Sequence, residues 1–276
     1  MRIEDKFREL REKGKAALVT YVTAGDPTLE ITPDIVCKLE EVGADLIELG
    51  VPFSDPTADG VAIQLASERA LQSGTTLHGV LDSVRLIRKR SQVPIILFGY
   101  YNPFFAYGLE RLTRDAKDVG VDGILVVDLP PEEAKEFKTH TDREGLNLIF
   151  LLAPTSTTER IKLIAHHASG FVYLVSVTGV TGERPNLDYN LKSLVDEIKT
   201  HTRLPVGIGF GVSTPEQVRR IADIADAVIV GSALVRIIEK DGTKKEALLK
   251  EISEFVSGLS RACEKVTLRT KSRKII

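Results

Sequence analysis

The sequence predicts an α/β fold, a single (β/α)8 TIM barrel with an extra N-terminal helix and an enlarged second βα loop, on three observations. Eight short β-rich runs recur along the 276 residues. Each is followed by a charged segment of helical period, and strands that alternate with helices imply parallel pairing. No linker, low-complexity stretch or change of composition divides the chain, whose length lies near the roughly 250 residues usual for an eightfold barrel. An open doubly wound sheet is the alternative. It usually carries its phosphate-binding glycines after the first strand, and here that turn reads Thr23-Ala24-Gly25-Asp26-Pro27.

Residues 2–13 form the extra helix, with Ile3, Phe7 and Leu10 on one face, placed to plug the bottom of the barrel. Strands are expected at 17–22, 46–51, 95–99, 123–128, 148–152, 171–177, 206–209 and 227–231. These runs are bounded by Gly, Pro, Asp, Asn or Thr, the residues that end regular structure. More than forty residues separate the second strand from the third, which leaves room for two helices around 60–71 and 77–89 and enlarges the second loop. After the fourth strand the helical pattern resumes at 131–137. The barrel domain covers residues 1–276, and Lys265, Arg269, Lys271, Arg273 and Lys274 mark 265–276 as a basic, solvated C-terminal tail.

Composition narrows the function. With 43% hydrophobic and 28% charged residues and a formal net charge of -2, the chain can bury a large core, and it carries no basic stripe for nucleic acid. Its first residues, Arg2-Ile3-Glu4-Asp5-Lys6, are too charged for a signal-peptide core, and no apolar run reaches membrane-spanning length, so a cytoplasmic location is expected. Cys37 and Cys263 lack metal or redox spacing and read as buried free thiols. His78, His140, His166, His167 and His201 fall in helical or connecting segments, away from the strand ends where a barrel does its chemistry, and no metal is implied.

The chemistry gathers elsewhere. Glu48 closes the apolar run Leu46-Ile47-Glu48-Leu49-Gly50-Val51, at the C-terminal end of the second strand, where barrel active sites lie. Leu46 and Glu48 share one face of that strand, so if Leu46 fills the barrel, Glu48 points into its mouth. A carboxylate there either pairs with a buried Lys or Arg or does acid/base work at a raised pKa; the neighbouring strand ends offer no cation, which favours the second reading. Asp59, in Ala58-Asp59-Gly60, brings a second acid to the same end.

Gly207-Ile208-Gly209-Phe210-Gly211 ends the seventh strand and Val230-Gly231-Ser232 the eighth, each opening a helix. One such loop is often only a tight turn, but the pair matches the usual barrel phosphate site and points to a phosphorylated ligand. Thr178 to Arg184, polar and Gly-rich, offers a third wall. Tyr21, Tyr100 and Tyr173 sit at strand ends, where each either packs in the core or meets a planar ligand. Asp128 is followed by Pro130-Pro131 and reads as ordering that turn or an interface rather than as catalytic.

Together these residues closely resemble the tryptophan synthase alpha chain family. The resemblance rests on residues 21–27, 46–60, 100–103, 122–130, 176–182 and 207–211, and the stretch from Glu48 through Asp59-Gly60 is especially specific. It implies an eightfold barrel that splits indole-3-glycerol phosphate into indole and glyceraldehyde 3-phosphate. No cofactor of its own is implied. Pyridoxal phosphate is expected only on a partner tryptophan synthase beta chain, in an alpha2-beta2 heterotetramer.

Carried over by motif, Glu48 resembles the family's general acid/base and Asp59 the carboxylate that holds the indole N–H. Tyr173 resembles the tyrosine near the glutamate and Thr181 the threonine of the closing loop. Gly182, Phe210, Gly211, Gly231 and Ser232 resemble the glycerol-phosphate pocket, and Tyr21, Phe98, Leu125 and Ile229 the indole pocket. The family varies at positions 21 and 98, so a changed packing surface around the same reaction is expected there. The beta chain would dock on the second and third βα loops, through Pro52, Asp55, Pro56, Asn102, Pro103 and Phe104. The rivals are a lyase that acts alone, another phosphate-binding barrel enzyme such as indole-glycerol-phosphate synthase, and a noncatalytic phosphate-binding barrel. Such synthases rely on strand-end lysines, and none of the eight strands here carries one.

Overall fold

A computed structural model describes residues 1–176, 185–209, 211–241 and 244–264. The chain opens with α1 (Arg2–Glu12), β1 (Ala17–Thr23), α2 (Thr32–Glu41) and β2 (Leu46–Gly50). The enlarged loop holds α3 (Val61–Gln72) and α4 (Leu77–Arg88), and β3 (Ile95–Gly99), α5 (Tyr101–Tyr107), α6 (Leu109–Val119) and β4 (Gly123–Val126) complete the first half. The second half runs α7 (Lys135–Glu144), β5 (Asn147–Leu152), α8 (Thr158–His167), β6 (Val172–Val175), α9 (Pro185–His201) and β7 (Val206–Gly209). It ends with α10 (Pro215–Ala222), β8 (Ala227–Val230), α11 (Ser232–Asp241) and α12 (Lys245–Ala262).

All eight strands are parallel and close in sequence order, with β1 pairing β8. Alternation of side chains along each strand divides the apolar residues into two shells. The outer shell, with Leu18, Val22, Ile47, Leu49, Leu97 and Ile124, packs against the surrounding helices. The inner shell, with Ala17, Val19, Leu46, Ile96, Leu125, Ile149, Phe171 and Ile229, fills the barrel itself, and Ile3, Phe7 and Leu10 of α1 join it from below. Phe7 meets Phe171 at 5.8 Å between ring centres, so the extra helix closes the floor as its apolar stripe predicts.

Strand starts share a device at that floor. Asp45 Oδ2, just ahead of β2, accepts the Leu18 N–H of β1 at 2.9 Å. Asp122 Oδ2 ahead of β4 accepts from Ile95 of β3 at 2.9 Å, and Asp226 Oδ2 ahead of β8 accepts from Val206 of β7 at 3.0 Å. Ahead of β6, the Ser169 hydroxyl accepts from Leu148 of β5 at 2.9 Å. Each even strand is thus preceded by a side chain that takes a backbone donor of the odd strand before it, which satisfies N–H groups at the barrel rim. Each of the three aspartates also meets a cation, Lys15, Arg88 with Arg2, and Lys199.

Several boundaries differ from the sequence reading. The strands predicted to end at Val51, Asp128 and Gly231 stop at Gly50, Val126 and Val230, because the chain turns out of the barrel toward its loops there. The predicted last residue of the sixth strand, Val177, and the tail 265–276 lie outside the described residues. The helix expected from Pro131 begins at Lys135, after a turn imposed by Pro130-Pro131. Cys263 is a buried free thiol as expected, but Cys37 is only half-buried, one position round α2 from the buried stripe of Pro33, Val36 and Leu39. Pro52 and Phe104 are buried, so neither can touch a docking partner directly; in α5 the exposed aromatic is the next residue, Phe105, at 58% exposure.

Candidate active site

Glu48 is placed by the register of the second strand. It pairs with Tyr21 of β1 on one side and Ile96 of β3 on the other, one inward-facing step above Leu46 of the inner shell. The side chain is 1% exposed, and its Oε1 has no hydrogen-bond partner among the described residues. Burial alone pushes its pKa from the usual 4.5 up to about 8. At neutral pH the group is therefore mostly a carboxylic acid, able to give a proton and take one back.

A small cleft of about 40 Å³ opens in front of Glu48. Its walls are Tyr21, Glu48, Asp59, Ile63, Phe98, Tyr173, Gly211, Ile229, Gly231 and Ser232. Nine of the site residues expected from sequence therefore face one space. Leu125 does not line it: the side chain is fully buried in the inner shell. Thr181, Gly182 and Phe210 lie outside the described residues.

Asp59 reaches the cavity from the second loop. Burial raises its carboxyl to about 6, and Tyr100 opposes that shift from one side. The two acids thus stand at different strengths in one pocket, a separation suited to different tasks. No cluster of His, Cys, Asp and Glu among the described residues could hold a metal ion.

Aromatic side chains shape the ring-sized end. Tyr21 and Phe98 meet edge to face at 5.1 Å, and Ala62 and Ala66 of α3 with Val235 of α11 back the Tyr21 ring. The Tyr21 hydroxyl shares a hydrogen bond of 3.2 Å with Thr23. Burial, with Glu48 and Asp59 close by, keeps Tyr21 and Tyr173 protonated by raising both phenols. Glycines make room for them: a Cβ on Gly50 would collide with the Tyr21 hydroxyl, and one on Gly209 with that of Tyr173.

Elsewhere the cavity wall is made of glycines and a serine. Gly211, at φ +71°, turns in a conformation that L side chains rarely adopt, and Gly231-Ser232 leads into α11. The first amides of that helix have no intrahelical acceptor, and its first residue, Ser232, lines the cavity. Thr214 caps α10 with a reciprocal bond to Gln217, fixing the chain that leaves Gly211.

Sequence reasoning missed Ile63, which follows Asp59 in the first turn of α3; its place four residues after the carboxylate was the available signal. Asp128 orders a neighbouring loop rather than its own turn: it accepts the Tyr101 N–H at 2.7 Å and so fixes the start of α5. The five histidines lie on helices, as expected.

A family model described as tryptophan synthase alpha chain matches residues 7–264. A tryptophan synthase alpha chain from Geobacter sp. (strain M21) is 55% identical over 260 residues, covering 94% of this chain and 97% of that relative. One from Thermoanaerobacter sp. (strain X514) is 47% identical over 258 residues, covering 94% and 98%. Among solved structures, the tryptophan synthase alpha chain from Legionella pneumophila superposes with a TM-score of 0.88 at 36% identity, covering 97% of this chain and 98% of that one. A chain of tryptophan synthase from M. tuberculosis superposes at 0.86 with 32% identity, covering 96% and 99%.

Proposed function

The chain belongs to the tryptophan synthase alpha chain family, and on that premise we propose that Glu48 carries the protons of its reaction while Asp59 holds the indole N–H. The protein is a carbon–carbon lyase of L-tryptophan biosynthesis. It cleaves indole-3-glycerol phosphate into indole and glyceraldehyde 3-phosphate. The observation that carries the assignment of Glu48 is its burial, with Oε1 unpartnered among the described residues, which leaves the carboxyl protonated near neutrality.

The cleavage is a retro-aldol reaction. Glu48, as the acid, gives its proton to indole C3, and the positive charge that develops at the ring nitrogen is stabilised by the Asp59 carboxylate accepting the N–H. The carboxylate left on Glu48 then takes the proton of the glycerol hydroxyl next to the breaking bond. As that oxygen becomes the aldehyde carbonyl, the electrons of the carbon–carbon bond return to the ring. Aromatic indole leaves, and Glu48 is protonated again.

Tyr21, Phe98 and Ile229 would flank the ring, and Tyr173 would stand beside Glu48. Gly211, Gly231 and Ser232 would hold the phosphate on backbone amides. Thr181, Gly182 and Phe210 complete the proposal by motif alone. Leu125 supports the indole end from the barrel interior rather than from the cavity wall.

The chain works with a tryptophan synthase beta chain, and the cofactor, pyridoxal phosphate, belongs to that partner. An alpha2-beta2 assembly would dock the second and third βα loops, where Asp55, Pro56, Asn102 and Pro103 are at least partly exposed and Phe105 adds an aromatic contact. We place the reaction in the cytoplasm; among the described residues, no helix is long and apolar enough to cross a membrane. The test is indole release from indole-3-glycerol phosphate, followed with and without the beta chain. Release that rises when the partner is added is expected. No release under either condition would leave a phosphate-binding barrel.

A further inference from the structure

Tyr100 stands outside the cavity wall and yet touches the loop that carries Asp59. It follows β3 and caps α5, in an extended conformation that sends its side chain across to the second loop. The residue is 3% exposed. Its hydroxyl accepts the Ala58 N–H at 3.0 Å, and its ring lies 5.3 Å from that of Phe53. The same hydroxyl faces the Asp59 carboxylate and draws its pKa down.

The loop has little else to fix it. Thr57 and Asp59 bond back to Asp55 and Pro56, while the Asp59 carbonyl accepts Gln64 Nε2 of α3 at 2.8 Å. Among the described residues, the other hydrogen bonds of 52–60 stay inside the loop or go to the first turn of α3. Tyr100 is therefore its tie to the third strand end, and that end is itself fixed, because Asp128 accepts the Tyr101 N–H.

We propose that Tyr100 is the positioning residue for Asp59, anchoring the loop backbone at Ala58 while its hydroxyl aims the carboxylate at the ring-binding end of the cavity. The inference rests on Asp59 being the indole N–H acceptor. It gives the third loop, which the partner would dock against, a direct hold on the second. A phenol that donates to a carboxylate favours its ionised form, the form that accepts an N–H. Among the described residues, the other titratable groups facing Asp59 are Tyr21 and Tyr173, with Glu48 on the same cavity. None of them is a cation, so Tyr100 is the neighbour that favours ionisation.

Tyr100→Phe tests this in the full-length chain, because the ring and its contact with Phe53 remain and only the hydroxyl goes. Indole release is measured across pH for the wild type, Tyr100→Phe, Asp59→Asn and the double variant, with and without beta chain. The expected result is a loss of about tenfold in kcat/KM near pH 7. The acidic limb should move to higher pH, because losing the donor raises the Asp59 pKa and more alkali is needed to ionise it. In the Asp59→Asn background the same change should cost almost nothing.

An acidic limb that stays in place, with an equal loss in both backgrounds, would reduce Tyr100 to ordinary packing and overturn the inference. An inactive wild type would overturn it together with the lyase reading on which it rests. An active wild type matched by Tyr100→Phe would overturn this inference alone.

Discussion

The two ends of the barrel treat buried carboxylates in opposite ways. At the floor, Asp122 receives Arg88 at 2.7 Å, Arg2 at 3.0 Å and the Ile95 amide at 2.9 Å. Asp45 and Asp226 are paired in the same manner with Lys15 and Lys199, each about 3 Å away. At the mouth, Glu48 is more deeply buried than any of these, and among the described residues it receives no cation and its Oε1 has no partner. Removing a charge from water costs several kcal/mol unless partners replace the solvent. The floor supplies those partners and holds strands in register, whereas the mouth leaves the cost standing and keeps a proton available.

Substitutions at each end should therefore fail in different ways. The largest expected effect is at the mouth, where Glu48→Gln should lower kcat on the order of a thousandfold while ligand binding survives. The same change should stabilise the fold. Glu48 has its folded pKa raised from 4.5 to about 8, so the wild type loses stability as pH rises through that interval, and glutamine does not. By linkage the gain above pH 8 is about 5 kcal/mol and vanishes below pH 4.5. Chemical denaturation at two pH values reads it directly, and equal stability of both proteins at pH 8.5 would break the contrast.

Asp122→Ala probes the floor. It strands Arg88 among buried groups and frees the Ile95 N–H, at an expected loss of about 3–5 kcal/mol. The fraction that stays folded should keep a near-normal kcat, since nothing of the cavity is touched. A variant with wild-type stability and impaired turnover would invert the assignment of the two ends.

A smaller effect than either belongs to Asp59→Asn, which keeps shape and loses charge. A drop of about a hundredfold in kcat/KM is expected at neutral pH. The acidic limb near pH 6 should disappear with it, leaving the limb near pH 8 that Glu48 sets. Persistence of the lower limb would assign it to another group.

The same contrast explains what the sequence disclosed. Period and spacing reveal strands and helices because burial selects residues by face; thus Ile3, Phe7 and Leu10 marked the plug and Leu46 gave the direction of Glu48. A charge inside an apolar run is visible without any structure, and so were Glu48 and the glycine loops. Contacts between distant segments are not. Nothing in the chain near Tyr100 announces that its hydroxyl meets Ala58, 42 residues earlier, or that Asp122 gathers Arg2 from 120 residues earlier. Leu125 illustrates the same limit: its place on an inward face was legible, but how far up the barrel the cavity begins was not.

The central claim is that the mouth leaves Glu48 uncompensated, and its own titration tests that most directly. Carbon-13 labelling of glutamate carboxyls, with Glu48→Gln to assign the resonance, gives the midpoint by NMR in the free protein. The account predicts a midpoint near 8. A midpoint near the ordinary 4.5 would mean that the carboxylate is solvated or paired after all, and the proton-transfer role argued for it would fall.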